Sequence, residues 1–119
     1  MHAKASVDGH VVAETDKYEV VEGNIYFPPS SISAHKDAYS KTSTTTFCPW
    51  KGTASYYTLT AGGAFRVDAL TLGISVADVR HVGKELKDAA WYYPQPYEKA
   101  QNIKDHVAFY KSKVKIESD

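Results

Sequence analysis

The stretch TTTFCPWKGTASYYTL, residues 44–59, places a cysteine, a tryptophan and a lysine within four positions, at Cys48, Trp50 and Lys51. A thiol is a few per cent ionised near neutrality even when unperturbed, so Cys48 is the first candidate nucleophile, and a nearby cation would raise that fraction. In an extended chain Lys51 faces away from Cys48 while Trp50 shares its side, unless Pro49 bends the backbone. The competing reading is a small buried hydrophobe, the commonest fate of a lone cysteine, and it ranks first.

Trp50 and Trp91 lie in two similar settings, CPWKGTASYY and AAWYYPQPY, each beside a proline and tyrosines. A buried indole wants a partner for its N–H. Two such segments facing one another would enclose a cavity walled by Trp50, Tyr56, Trp91 and Tyr92. Lys51 would carry its charge past the rings to water or to an anion. A packed aromatic core is the plainer alternative for each ring taken singly.

Metal chemistry has little support. His2, His10, His35, His81 and His106 are scattered, and His81 with Glu85 is a lone pair at helical spacing, so no metal site is expected. Gly62-Gly63 reads as a turn, since neither a P-loop nor a dinucleotide fingerprint surrounds it. No Gly-x-Ser-x-Gly elbow supports a serine triad. No cofactor is implied.

The elements that must position these residues are mostly strands. HVVAET, YEVVEG and NIYF form a first group, interrupted at Asp16 and at Gly23-Asn24. SSISAHKDAYSKTS is polar and without period, which predicts a loop. TTTF and TASYYTL predict two strands meeting at Pro49. In the second, Ala54, Tyr56 and Thr58 alternate with Ser55, Tyr57 and Leu59, and neither set is strongly polar, so both faces should be covered. AFRVDALTLG reads as a strand, SVADVRHVGKEL as a short helix or a hairpin, and DAAWYYP as a strand ended by Pro94. YEKAQNI predicts one or two helical turns. HVAFYKSKVKIESD predicts one half-exposed strand with lysines along an edge.

With 119 residues the chain is expected to be a single domain, 1–119, able to bury about two-thirds of its unfolded surface. Fourteen basic residues balance fourteen acidic ones, which gives no field to attract nucleic acid. One cysteine excludes an internal disulfide and fits a reducing compartment. Neither a signal-peptide run nor a membrane span is apparent, so a soluble, cytoplasmic protein is expected.

VVAET, IYFPPSSI, TTFCPWKGTASYY, DAAWYYPQPYEKAQNI and DHVAFYKSKV resemble, in order, the blocks of the family known as domain of unknown function 427, over a core of about 11–114. The resemblance implies a mainly β, compact single-domain fold, a β-tent-like sheet or barrel with one short helix, similar to the thalidomide-binding domain of cereblon, the Yippee proteins and type B methionine sulfoxide reductases. Many of those relatives hold zinc with two cysteine pairs, which this sequence lacks. The family's characteristic positions fall on Cys48, Pro49, Trp50, Lys51, Gly52, Tyr56, Trp91, Tyr92, Pro94 and Ala100, which implies a shared pocket and no particular reaction. A nucleotidyltransferase label sometimes given to the family finds little support, because Asp68, Asp78, Glu85 and Asp88 are not spaced to hold magnesium. The segment around 62–83 departs from the family pattern as an atypical insertion.

Three functions follow. The first is an aromatic pocket for a small polar or anionic ligand, with Trp50, Tyr56, Trp91 and Tyr92 as its wall and Lys51 fixing the ligand's charge. The second is a thiol-dependent enzyme using Cys48, with Lys51 or a distant histidine lowering its pKa. The third is a non-enzymatic protein-interaction domain. The first ranks ahead, and whether the protein is an enzyme is left open.

Overall fold

The computed structural model describes residues 2–33, 35–61 and 84–118. Nine strands run through them: β1 (Ala3–Val7), β2 (His10–Thr15), β3 (Glu19–Val21), β4 (Asn24–Tyr26), β5 (Tyr39–Cys48), β6 (Gly52–Ala61), β7 (Lys84–Tyr92), β8 (Val107–Phe109) and β9 (Lys115–Ser118). They make three antiparallel sheets, ordered β2-β1-β9, β3-β4 and β5-β6-β7-β8. The fold is mainly β, as the sequence predicts. Among the described residues the sheets are open and form no closed barrel, which removes the barrel alternative there. None of the described helices is long and apolar enough to cross a membrane.

Four sequence expectations change. First, AKASV forms β1, the centre of the three-stranded sheet, where the sequence reading placed no strand. Asp8-Gly9 turns the chain into β2 with both residues at positive φ, the geometry of a tight two-residue hairpin. Second, the Ser-rich stretch read as a loop contains a helical turn, α1 (Ser30–Ser33), and a 3-10 turn at Lys36–Ala38 before β5 begins at Tyr39. Its serines satisfy the turn's own carbonyls: Ser31 Oγ donates to Pro28 O and Ser33 Oγ to Ser30 O, which leaves Ile32 free to bury.

Third, the C-terminal segment is two strands in two sheets, because the N–H groups of Lys113 and Val114 both bond to Tyr110 O and close a turn between them. Fourth, β7 starts at Lys84, so the end of the stretch read as helix or hairpin is strand. The insertion around 62–83, its expected strand, the Gly62-Gly63 turn and His81 lie outside the described residues. The helix expected in YEKAQNI is present as a 3-10 segment, Glu98–Ile103.

The four-stranded sheet positions the candidate residues; β6, β7 and β8 are covered on both faces, while the edge strand β5 is largely exposed. One core contains Leu59, Ala90, Val107 and Phe109, with Tyr39, Tyr57 and Tyr92 packed on it and β1 and β2 beyond. The other contains Ala54, Tyr56 and Ala108 of the sheet, with Tyr26, Tyr93, Ala100 and Ile103 against them. The alternation read in TASYYTL therefore divides as expected for Ala54 and Tyr56 against Tyr57 and Leu59. Phe27 joins the smaller sheet to this one by reciprocal backbone bonds with Val107, both 2.8 Å.

The pairing of β5 with β6 shifts register between Lys41 and Thr45, and that of β6 with β7 shifts between Tyr57 and Leu59. Asp88 spans the irregularity. Its carboxylate accepts from Thr42 Oγ1 and from Thr44 Oγ1, both at 2.9 Å, and its N–H donates to Thr58 Oγ1 at 3.3 Å. One residue at positive φ thus ties three strands where the regular ladder fails. Asp88→Ala is expected to lower unfolding free energy by about 1–3 kcal/mol, the usual range for lost hydrogen bonds to a charged group. Urea denaturation measures this, with Asp88→Asn, which keeps one acceptor and tolerates the same backbone, falling between.

Candidate functional site

The segment between β5 and β6 is a tight bend. Cys48 pairs with Gly52, leaving Pro49, Trp50 and Lys51 at the tip. Gly52 sits at φ +111°, and a side chain there would have its Cβ 3.3 Å from Gln95 O. The bend is thereby seated on the Gln95–Tyr97 segment, and Tyr97 N–H donates to Lys51 O at 2.9 Å. Glycine is required here by conformation and by space together.

This seating turns Lys51 inward. The residue is only 7% exposed. Its ammonium lies 5.3 Å from the centre of the Trp50 ring and 5.6 Å from that of Tyr93, and it donates to Glu22 Oε1 at 2.5 Å. Glu22 occupies the first position of a two-residue turn between β3 and β4, at φ +52°, with Gly23 at +79°. Its side chain is 55% exposed, so the pair has one buried end and one wet end. Burial by itself would lower the lysine's pKa; the Glu22 hydrogen bond, the phenols of Tyr26 and Tyr93 and the Glu22 charge outweigh it and raise the pKa above 10.5.

Around this ion pair the aromatic side chains form one connected group. Trp91 Nε1 donates to the Tyr26 hydroxyl at 3.1 Å, with the rings edge to face. Tyr110 packs at 4.8 Å from Trp91 and stacks parallel to Tyr56 at 6.5 Å. The Tyr56 hydroxyl is 2.9 Å from Thr46 Oγ1 and 3.4 Å from the Tyr110 hydroxyl. That bond to Tyr56, with burial, pushes the Tyr110 phenol up to about 12. Burial raises Tyr93 as well, against the pull of the Lys51 ammonium.

The predicted residues divide between two faces. Trp91 and Tyr56 are cross-strand partners, and Cys48 packs against the same cluster. Lys51 joins them through Tyr93. Cys48 and Lys51, which face apart in an extended chain, both approach Tyr93 because the backbone bends at Pro49. Trp50 stays 39% exposed at the rim, with the Lys51 ammonium 5.3 Å from the centre of its ring. Tyr56 is buried, with its hydroxyl committed. Tyr92 follows Trp91 on the strand and points to the opposite face, where it stacks on Tyr57 at 4.4 Å. The four expected wall residues therefore do not line one cavity.

A family model described as Domain of unknown function (DUF427) matches residues 1–71 and 74–119. The chain belongs to this family. No curated protein matches it. The two matched stretches of the DUF427 chain break inside the segment read as an insertion. Of the positions the sequence resemblance singled out, Cys48 to Gly52 form the bend, Tyr56 and Trp91 pair across β6 and β7, and Ala100 is buried in the same cluster. Among the described residues no group of three His, Cys, Asp or Glu side chains converges as a metal site would require.

Glu22, Tyr26, Tyr93 and Tyr110 complete the cluster around Lys51 and Trp91 and are absent from the candidate residues of the sequence. Tyr93 was within reach, two positions after Trp91 and so on its face. Glu22 carries no such signal, because its approach to Lys51 depends on the packing of a different sheet.

The electrostatics make a directional statement. A raised lysine pKa contributes stability that is complete below 10.5 and is lost as pH climbs through the folded-state value. In Glu22→Gln, burial is no longer opposed by a carboxylate, so the Lys51 pKa should fall below that of the parent protein. An NMR titration following the Lys51 ε-methylene resonances checks this, and an unchanged value in the variant would contradict the arrangement.

Proposed function

We propose that the Lys51 cluster binds a small anionic ligand, a carboxylate in the simplest case, between the Trp50 rim and the Tyr26–Trp91–Tyr93 wall. One observation carries the reading: a buried ammonium is held between two ring faces and its ion-pair partner is a half-exposed glutamate on a turn. The rings hold the ammonium in place, and its removal from water strengthens its attraction to an anion. Glu22 supplies that anion from within the chain. A ligand carboxylate would take its place on Lys51 Nζ, with Trp50 closing over it and the Tyr93 ring beneath.

Catalysis is no part of this reading. The occupant is a small molecule, because the balanced charges offer no extended field for a polyanion. Glu22 acts as a competitor, so the wild-type affinity for any anion is reduced by the cost of displacing it.

Tryptophan emission reports the site directly, since the Lys51 ammonium lies 5.3 Å from the centre of the Trp50 ring. Titration with carboxylates, nucleotides and cyclic imides should give a saturable change with at least one carboxylate. Lys51→Met should weaken that binding by about tenfold or more, the worth of a charge-assisted hydrogen bond, and Glu22→Gln should strengthen it. Silence across the whole set, or equal affinity in the Lys51→Met protein, would overturn the proposal.

A further inference from the structure

The opposite face of the same sheet carries a second candidate, which does not depend on Lys51. Tyr39, Tyr57 and Tyr92 form a row there. Tyr39 meets Tyr57 edge to face at 5.4 Å, and Tyr57 stacks on Tyr92 at 4.4 Å with the planes 20° apart. Tyr39 is fixed by its hydroxyl, which donates to Val12 O at 2.7 Å. Tyr92 ends the row: its only ring partner among the described residues is Tyr57, and it is half-buried.

The row ends at a cavity of about 580 Å3 lined by Tyr57, Tyr92, Pro29, Pro94, Lys41 and Asp105, among others. That volume lies within the roughly 300–1,000 Å3 of typical small-molecule sites. Its two charged residues are of opposite sign. Neither side chain has an ion-pair or hydrogen-bond partner among the described residues. Asp105 is held at φ +59° by its N–H bond to Tyr93 O at 3.1 Å, so its side chain starts from a fixed backbone position beside the tyrosines. Its charge acts on the Tyr57 phenol, which burial, Tyr92 and then Asp105 push up to about 12.

A cavity walled by the Tyr57–Tyr92 pair and two prolines, with one exposed charge of each sign, suits a molecule that carries a ring and both charges. We propose that this cavity binds a small aromatic zwitterion of the amino-acid type, its ring continuing the Tyr57–Tyr92 stack, its ammonium on Asp105 and its carboxylate on Lys41. Offset stacking supplies apolar contact, and the two charges fix orientation. A ligand with either charge alone leaves one protein charge unanswered.

L-Phenylalanine is the probe, followed by NMR on the Tyr57 and Tyr92 ring resonances. A saturable shift at millimolar concentration is expected. Lys41→Met and Asp105→Asn should each weaken it about three- to fivefold, in keeping with pairs made by exposed charges. Asparagine also tolerates the left-handed backbone at 105. Phenethylamine, which lacks the carboxylate, should bind more weakly than L-phenylalanine and respond to Asp105→Asn but not to Lys41→Met, and 3-phenylpropionate should show the reverse. The wild-type protein alone decides the matter if a variant fails to fold. No saturable shift, or both single-charge analogues binding as tightly as L-phenylalanine, would overturn the proposal without touching the Lys51 site.

Discussion

Where β6, β7 and β8 are covered on both faces, consecutive side chains of a strand must enter different surroundings, and that constraint arranges the aromatic residues of this protein. Tyr56 and Tyr57 are neighbours in sequence and belong to separate aromatic clusters; so do Trp91 and Tyr92. The same holds on β8, where Ala108 serves one core while Val107 and Phe109 serve the other. A one-residue slip in register would exchange the clusters, so the register must be tightly set. Asp88, tying three strands at the point where the ladder shifts, is placed to set it.

On one face the constraint produces a polar problem with a specific solution. The bend at Cys48–Gly52 drives Lys51 into an aromatic environment, where an ammonium without a partner would be costly. Glu22 answers it from another sheet while keeping its own carboxylate in contact with water. The lysine is therefore charged, oriented and shielded, and the group opposing it is the least buried member of the cluster. The proposed anion seat rests on that asymmetry, one partner buried and the other in contact with water.

Much of this was legible in the residues. β-Branched and aromatic runs around Pro49 and before Pro94 marked the strands that matter, and the recurrence of tryptophan beside proline drew attention to segments that do meet one cluster. Two failures have physical causes. β1 is AKASV, in which Ala3 and Ala5 are buried but carry little strand preference and Val7 alone favours a strand, although Asp8-Gly9 advertised the hairpin. Tyr92 was grouped with Trp91 by proximity in sequence, when the period of two that had been applied to residues 54–59 separates them just as surely. Glu22 and Tyr110 reach the site through pairing between distant segments, and a single sequence carries no trace of such contacts.

The division of the aromatic residues between two faces is open to one direct measurement. Nuclear Overhauser contacts among the assigned aromatic rings should join Trp91 to Tyr26 and Tyr110, and Tyr92 to Tyr57, with no contact between the Tyr92 ring and Tyr26 or Tyr110. A spectrum in which Tyr92 shares the Tyr26 and Tyr110 contacts of Trp91, and lacks those to Tyr57, would contradict the account.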